Sequence, residues 1–255
     1  MSHEGQRVMV TAGAAGIGRR IAERFADQGA RVHVCDVDDE ALETIPADNR
    51  AITAAHVDVT EEDAVDRWFD AALADLGGLD VLVNCAGTAG PTAALEDMDF
   101  EGWRRCLAVN LDGQFLCARR AIPEMKKQNS GLIVNFSSTA GLHGFARRAP
   151  YATAQWGVIG FTKTLAIELG PFGIRANAIC PGPVEGDRID RVIAAEAAKT
   201  AQTEDAVRES ITEAISMKCF VTADDMADTV LFLASPAAAR ISGQAIPVDG
   251  HTLAL

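Results

Sequence analysis

The sequence predicts an α/β fold: a doubly wound parallel sheet in a single domain, with a helical lid inserted near its end. Three observations carry this. Short apolar runs of strand length recur along the chain, they do not alternate polar with apolar residues, and longer amphipathic stretches separate them. Non-alternating strands are those covered on both faces, and strands that take turns with helices build parallel sheets.

The expected strands are Arg7–Thr11, Arg31–Cys35, Ala51–Val57, Leu79–Asn84, Gly131–Phe136, Ile174–Cys180 and Gln244–Val248. The expected helical stretches are Ile17–Gln28, Glu61–Leu76, Trp103–Lys127, Tyr151–Gly170 and Ala223–Ala234. One region breaks this rhythm. Glu185 to Phe220 reads as one or two polar helices, and an extra segment at such a place often closes over a site. A plain surface insertion fits the same residues. No repeat, linker or low-complexity tract divides the chain, so one domain is expected over residues 1–255, with the lid at 185–220.

Composition narrows the function. Nearly half of the 255 residues are apolar (48%), enough for a sizeable core. Acids outnumber bases, 36 to 23, for a net charge of −13, which argues against a nucleic-acid surface. Residues 1–7 are polar and lack the apolar core of an export signal, and no apolar run reaches the roughly 18 residues of a membrane span. The six cysteines, at 35, 85, 106, 117, 180 and 219, are scattered and read as reduced thiols. These readings point to a cytoplasmic protein. No His/Cys/Asp cluster has ligand spacing, so no metal is expected.

The first strand runs into Ala12-Gly13-Ala14-Ala15-Gly16-Ile17-Gly18 and then a helix. Glycines there let the backbone turn sharply and approach a pyrophosphate, and the helix N-terminus offers it free N–H groups. The strand–turn–helix setting makes this signal strong where a lone glycine motif would be weak. Asp36 ends the second strand, where a carboxylate accepts hydrogen bonds from an adenosine ribose and repels a 2′-phosphate. This favours NAD over NADP. Arg19 and Arg20 are the counter-argument, since a nearby base can hold that phosphate. Asp58 and Val59 follow the third strand and are candidates to touch the adenine. After the fourth, Asn84-Cys85-Ala86-Gly87 is a small-residue turn that lets a ribose lie close.

The chain has one tyrosine, Tyr151, which follows Pro150 and opens an alanine-rich helix. A phenol there can exchange a proton with an alcohol or ketone. Its reference pKa is about 10, so it needs a positive charge nearby to act near neutrality. Ser138, at the end of the fifth strand, can hydrogen-bond a substrate oxygen, or simply cap a turn. Asn110, amid apolar neighbours in a helical stretch, can anchor an ordered water, or be a satisfied core amide.

With these pieces in order, the sequence resembles the short-chain dehydrogenase/reductase family along nearly its whole length. The matching residues are Thr11…Gly16-Ile17-Gly18, Asn84-Cys85-Ala86-Gly87, Asn110, Ser138, Tyr151 and Pro181-Gly182-Pro183-Val184. The resemblance implies a Rossmann-like fold and hydride transfer between a nicotinamide and a carbonyl/alcohol pair. It implies that Ser138 polarises the substrate oxygen, that Tyr151 is the acid/base, and that Asn110 holds a water in a proton relay. It places Pro181, Gly182 and Val184 near the nicotinamide. It also implies a homo-oligomer, most often a tetramer.

Two departures stand out. Ala12 holds the family's first glycine position, with Gly13 next to it, and one methyl beside a glycine is tolerable. The second is larger. The family reads Tyr-x-x-x-Lys, and here Tyr151-Ala152-Thr153-Ala154-Gln155 puts Gln155 on the face where the lysine belongs. An amide can still hydrogen-bond the ribose, but it carries no charge. A cation within about 4–6 Å shifts a partner by about 1–3 pKa units, so its loss predicts a rate lower by about tenfold to a thousandfold. Cofactor binding should be largely kept. The residues are compatible with an inactivated form, with an enzyme that works with glutamine, or with a non-enzyme.

The expected pocket is lined by Ser138, Tyr151, the residues after Gly87, the Leu142–Arg148 segment and the lid. His143, Arg147 and Arg148 favour a polar or anionic substrate, or form a solvated basic stretch. His251 approaches a neighbouring subunit's site or lies on the surface. NAD preference suggests oxidation of a secondary alcohol such as a sugar, polyol or hydroxy acid. The rivals are a 3-oxoacyl thioester reductase using NADPH, a protein that senses NAD without turnover and, further off, a dehalogenating lyase.

Overall fold

The structure, a computed structural model, describes residues 2–45 and 51–253, without the side chains of residues 187, 188, 195 and 199. Seven strands form one sheet: β1 (Arg7–Thr11), β2 (Arg31–Asp36), β3 (Ile52–His56), β4 (Val81–Asn84), β5 (Gly131–Phe136), β6 (Ile174–Pro181) and β7 (Ala245–Val248). They run parallel in the order β3-β2-β1-β4-β5-β6-β7. The order reverses between β1 and β4. At that switch point successive connections leave the sheet on opposite sides and open a crevice at its carboxyl edge.

Both faces are covered, as the non-alternating strands require. Val8, Val10, Val32, Val34, Val81 and Val83 point to one face, under α1 (Gly16–Asp27) and α9 (Ala223–Ala234). Met9, Leu82, Ile133 and Ala176 point to the other, under α3 (Glu62–Leu76), α5 (Gly113–Gln128) and α6 (Ala149–Leu169). Each of these side chains is nearly solvent-free, and fully burying one such aliphatic stabilises by about 1.5–3 kcal/mol. His33 on β2 is a buried polar residue in this second layer. Trp68 Nε1 donates to its Nδ1 at 3.1 Å, so the ring is a neutral acceptor, and burial holds it below its usual pKa.

The expected Trp103–Lys127 stretch is not one helix. α4 (Phe100–Leu107) starts earlier, because Asp99 caps it by accepting from the Gly102 N–H at 2.6 Å. The helix then widens into a π turn at Ala108–Asp112 before α5 begins. The cause is local. Asn110 Nδ2 donates to the Cys106 carbonyl at 2.8 Å, taking an acceptor that the helix backbone would otherwise use.

Residues 185–220 contain two helices, α7 (Asp187–Thr200) and α8 (Glu204–Glu213). Ile193, Ala197, Val207, Ile215 and Phe220 give this excursion a small core of its own. It leaves and re-enters beside itself: Val184 bridges Val221, and Ile215 bridges Thr252. A short α2 (Asp39–Glu43) completes the helices named here.

The amino edge of the sheet is tied by one ion pair. Arg7 Nε and Nη2 donate to the two carboxylate oxygens of Asp80 at 2.9 and 2.6 Å, and the Arg7 N–H adds a third bond at 2.9 Å. Burial pushes the Asp80 carboxyl up, but these bonds and the Arg7 charge outweigh it and hold the group below the usual carboxylate range. A carboxylate depressed in this way stabilises the fold above its unfolded pKa of about 3.9, and that contribution is lost as the pH falls. Asp80→Asn is expected to lower stability by about 1–2 kcal/mol near neutrality. Denaturant titrations at several pH values should show the gap between the two proteins closing from about pH 5 downward; a gap independent of pH would refute the assignment.

The turn after β1 holds Ala12 at φ 51°, in the left-handed region. An L-residue with a Cβ sits there at a cost of about 1–2 kcal/mol, which glycine avoids. Part of the gain from glycine is offset by its freer unfolded chain. Ala12→Gly should therefore raise stability by about 0.5–1 kcal/mol, read from denaturant midpoints. A loss of stability would show that the turn carries no strain.

Candidate active site

The crevice begins at the β1 turn. Gly13 donates to the Cys35 carbonyl at 3.0 Å, and a Cβ at Gly13 would lie 2.5 Å from that of Val34. A Cβ at Gly18 would fall on the Ala12 carbonyl. Both glycines are therefore needed for the turn to press against β2 and α1. Gly16 is different: it is exposed at φ 53°, with open space where its Cβ would point. Ile17 packs inward on the core beneath. Ala15 begins α1 without any side-chain cap, and the first turn holds no acid. The geometry leaves a helix N-terminus that suits an anion.

Thr11 fixes the floor. Its hydroxyl accepts from the N–H groups of Cys85 and Ala86, both at 2.9 Å, tying the exits of β1 and β4 together. Asn84 Nδ2 donates to Asn135 Oδ1 at 2.9 Å, and Asn135 Nδ2 to Thr162 Oγ1 at 2.9 Å. Gly87 is exposed, and its Cβ would stand 3.0 Å from Asn110 Oδ1.

At the tip of β2, Asp36 Oδ2 accepts from the Ala14 N–H at 3.1 Å, and Oδ1 accepts from those of Val37 and Asp38 at 2.8 and 3.2 Å. A carboxylate offers about four lone-pair sites, so one remains on Oδ2 for an outside donor. The two nearby arginines are engaged elsewhere. Arg19 Nε pairs with Glu23 at 2.7 Å and Nη1 donates to Thr44 at 3.2 Å; Arg20 pairs with Asp224 at 2.8 Å. Asp58 is also fastened: Oδ1 accepts from the N–H and O–H of Thr60, and Oδ2 pairs with Arg105 at 3.0 Å. Burial pushes its carboxyl up, and those bonds reverse this and hold it below the usual range. Val59 is buried under Gly113, where a Cβ would lie 2.8 Å from its Cγ2.

The other wall is built where the end of β5 meets α6. Ser137 Oγ donates to the Gln155 carbonyl at 2.9 Å, and a Cβ at Gly141 would lie 2.8 Å from that same oxygen. Ser138 caps the short turn Thr139–Gly141, its Oγ accepting from the Ala140 N–H at 3.1 Å. Its hydroxyl hydrogen stays available to an outside acceptor. Tyr151 is half-buried in the first turn of α6, which Pro150 opens. Gln155 is one turn further on, only 3% exposed; its Nε2 donates to Asn110 Oδ1 at 3.4 Å, and its Oε1 is buried with no protein partner.

Asn110 is more occupied than the sequence suggests. Its Oδ1 also accepts from the Thr88 N–H at 3.1 Å, and its Nδ2 donates to the Thr88 carbonyl at 3.0 Å. The side chain thus locks the loop after β4 to the π turn. Its own carbonyl accepts from Gln114 Nε2 at 3.0 Å. Pro181 ends β6 and Gly182 and Val184 follow it at the same edge, and Gly182 allows Asp249 to approach: a Cβ would lie 2.8 Å from that of Asp249. His143 and Arg147 are exposed on the turn before α6, and His251 is exposed with Nδ1 at 2.8 Å from Ser216 Oγ. Thr88, Gln114 and Ser137 also position the site, and the sequence motifs do not mark them. Gln114 was findable, as an amide one helical turn after Asn110 amid apolar residues.

The residues present fit a dinucleotide. The glycine cradle, the uncapped helix start, the free lone pair on Asp36 and the orphaned Gln155 Oε1 are the donors and acceptors such a molecule needs. Burial pushes the Cys117 thiol up to about 12 and that of Cys180 to about 11, so both stay neutral. Among the described residues no group of three or more His, Cys, Asp or Glu side chains could hold a metal ion, and no helix is long and apolar enough to cross a membrane.

Comparison with known proteins agrees with this geometry. Residues 12–251 match the family described as enoyl-(acyl carrier protein) reductase. The chain is 36% identical to a D-beta-hydroxybutyrate dehydrogenase of Cupriavidus necator, over 98% of each chain. It is 33% identical to a 3-oxoacyl-acyl-carrier-protein reductase of Aquifex aeolicus, over 97% of each. The crystal structure of an NAD+-bound xylitol dehydrogenase superposes with a TM-score of 0.91 at 29% identity, covering 97% of this chain and 99% of that one. The chain belongs to the short-chain dehydrogenase/reductase family of oxidoreductases.

Proposed function

We propose that the chain is an NAD-dependent oxidoreductase that interconverts secondary alcohols and ketones of the sugar, polyol or hydroxy-acid type, with its turnover held down by Gln155. The observation that carries the reading is the meeting of β5 and α6, where Ser137 clamps the Gln155 carbonyl and brings Ser138 and the first turn of α6 to one wall. The relatives named as acting on hydroxybutyrate and xylitol support the substrate class.

Asp36 and its surroundings support NAD. The carboxylate keeps one acceptor for a ribose hydroxyl and repels a 2′-phosphate, while Arg19 and Arg20 are held by Glu23 and Asp224. The Gly13–Gly18 turn and the start of α1 would hold the pyrophosphate, and Gln155 Oε1 would accept from the nicotinamide ribose. Ala86 and Gly87 would hold a ribose, Asp58 and Val59 the adenine, and Pro181, Gly182 and Val184 the nicotinamide. When bound, the nicotinamide supplies the hydride acceptor or donor.

The protein's own part is the proton. Ser138 Oγ donates to the substrate oxygen and keeps it oriented. In the oxidative direction the hydroxyl proton passes to the Tyr151 phenolate as the carbonyl forms, and the reverse protonates the new alcohol. Asn110 steadies the next position in the relay. Gln155 breaks the usual arrangement here, since an amide neither lowers the phenol's proton affinity by charge nor carries a proton onward. Residues 185–220 form the cover over the substrate, and the enzyme works in the cytoplasm as a homotetramer.

A second reading has one observation in its favour. Gln155 is buried and turned to Asn110, which fixes an uncharged side chain where proton transfer would call for a charged one. This is the NAD-sensing protein.

Three measurements separate the readings. Gln155→Lys is expected to raise turnover at least tenfold, about 1.4 kcal/mol, across a panel of secondary alcohols, with the NAD dissociation constant from calorimetry changing less. Equal turnover would remove Gln155 as the limit; tight NAD binding with no turnover by either protein would favour the sensor. Asp36→Ser should improve NADP binding relative to NAD by at least about tenfold. A native preference for NADPH would instead support a 3-oxoacyl thioester reductase.

A further inference from the structure

The turn into α6 carries strain at one residue. Arg147 sits at φ 62°, a left-handed conformation that a side chain with a Cβ rarely adopts. Its carbonyl accepts from the Ala93 N–H at 3.1 Å, which holds the turn to the loop after β4. The next residue, Arg148, is half-buried, and its Nη2 donates to the Ala89 carbonyl at 2.6 Å. Its guanidinium carbon stands 5.3 Å from the centroid of the Tyr151 ring and 5.3 Å from that of Phe145. Both lie within the roughly 6 Å over which a cation is attracted to an aromatic face.

This position matters because of Gln155. One turn after Tyr151 the chain offers a neutral amide turned toward Asn110, while a permanent cation is fixed against the phenol ring from the other side of the sequence. Deprotonating a phenol spreads negative charge into the ring, so a cation over its face stabilises the phenolate more than the phenol. We propose that Arg148 supplies part of the positive charge that the fold otherwise draws from a lysine, stabilising the Tyr151 phenolate, while Gln155 keeps the ribose-binding part of that lysine's work and leaves its onward proton transfer unfilled. Arg148 is on this view a positioning residue for the proton chemistry of Tyr151.

The other titratable groups named from the elements packed against α6 are neutral, exposed or turned to another surface. From α4, Cys106 is buried and its thiol is pushed up by burial, against the pull of the Asn110 hydrogen bond and the Arg148 charge. From β6, Cys180 is neutral as well. His143 and Arg147 on the preceding turn are exposed. From the π turn, Asp112 lines a separate surface groove with Glu101, Arg104 and Arg105 of α4.

The inference rests on the reading of Tyr151 as the acid/base, and the test keeps the two apart. Tyr151 is the only tyrosine in the chain, so ultraviolet difference absorbance of tyrosinate reports this one phenol without any substrate. Tyr151→Phe supplies the blank, and its turnover tests the acid/base reading by itself. Arg148→Gln keeps a donor for Ala89 and removes the charge; Arg148→Met serves if that variant does not fold, and Arg148→Lys keeps the charge. The neutral variants should raise the phenol midpoint by about one pH unit, a tenfold weaker acid. The pH–rate profile of alcohol oxidation should move with it, and Arg148→Lys should stay within about a twofold change in acid strength. A midpoint unmoved in the neutral variants overturns the proposal, and so does a shift of equal size in Arg148→Lys. A rise in KM with an unmoved phenol would likewise overturn it, making Arg148 a binder of anionic substrates.

Discussion

The parting of two strands at the carboxyl edge of the sheet is the constraint on which the site depends. β1 and β4 lie side by side, yet the chain leaves them in opposite directions, and neighbouring backbone groups at that gap lose their sheet partners. The Thr11 hydroxyl repairs this by accepting from two successive N–H groups, those of Cys85 and Ala86. A buried hydroxyl that satisfies two backbone donors removes a penalty of about 1–3 kcal/mol for each group that would otherwise stay unpaired. It also sets how wide the crevice is. The glycine turn on one side and the loop after β4 on the other are each pinned to that one oxygen's position.

Below and beside this seam the protein uses amides where a charge would be expensive. Asn84, Asn135 and Thr162 form one buried chain, and Gln114, Asn110 and Gln155 form another, each amide ordering the next. Such networks are rigid because a half-broken one leaves buried donors stranded. Gln155 fits into the second chain as a natural member by shape and polarity. It lacks the charge of a lysine, which is the property that acts at a distance. The cation therefore has to be sought on the other side of the phenol, and the nearest one in the turn before α6 is Arg148.

Much of this was legible in the sequence because the signals are local. Parallel strands buried on both faces must be short apolar runs, and every expected strand is present, with ends shifted by at most two residues. The strand–turn–helix setting of Gly13, Gly16 and Gly18 marks a tight turn, since each glycine answers a steric demand of its own. The π turn was not legible. One residue of extra winding leaves the amphipathic pattern of residues 103–127 nearly intact, and its cause is a side-chain hydrogen bond from Asn110 to a carbonyl one turn back. The strain at Ala12 was half legible: the methyl in a glycine position was visible, the left-handed φ that makes it costly was not. The placement of Arg148 over Tyr151 was hidden for the same reason. It depends on the unusual backbone of Arg147 and on a carbonyl from Ala89, more than fifty residues away.

The excursion between β6 and α9 has a different kind of independence. It carries its own apolar centre at Ile193, Val207, Ile215 and Phe220, and its two ends are clasped within a single backbone bridge. A piece built this way behaves as a cassette. Its length and side chains can drift, or the whole can be exchanged for another, without altering the register of any strand. Variation that elsewhere in the molecule would unseat the sheet is here largely free of that penalty.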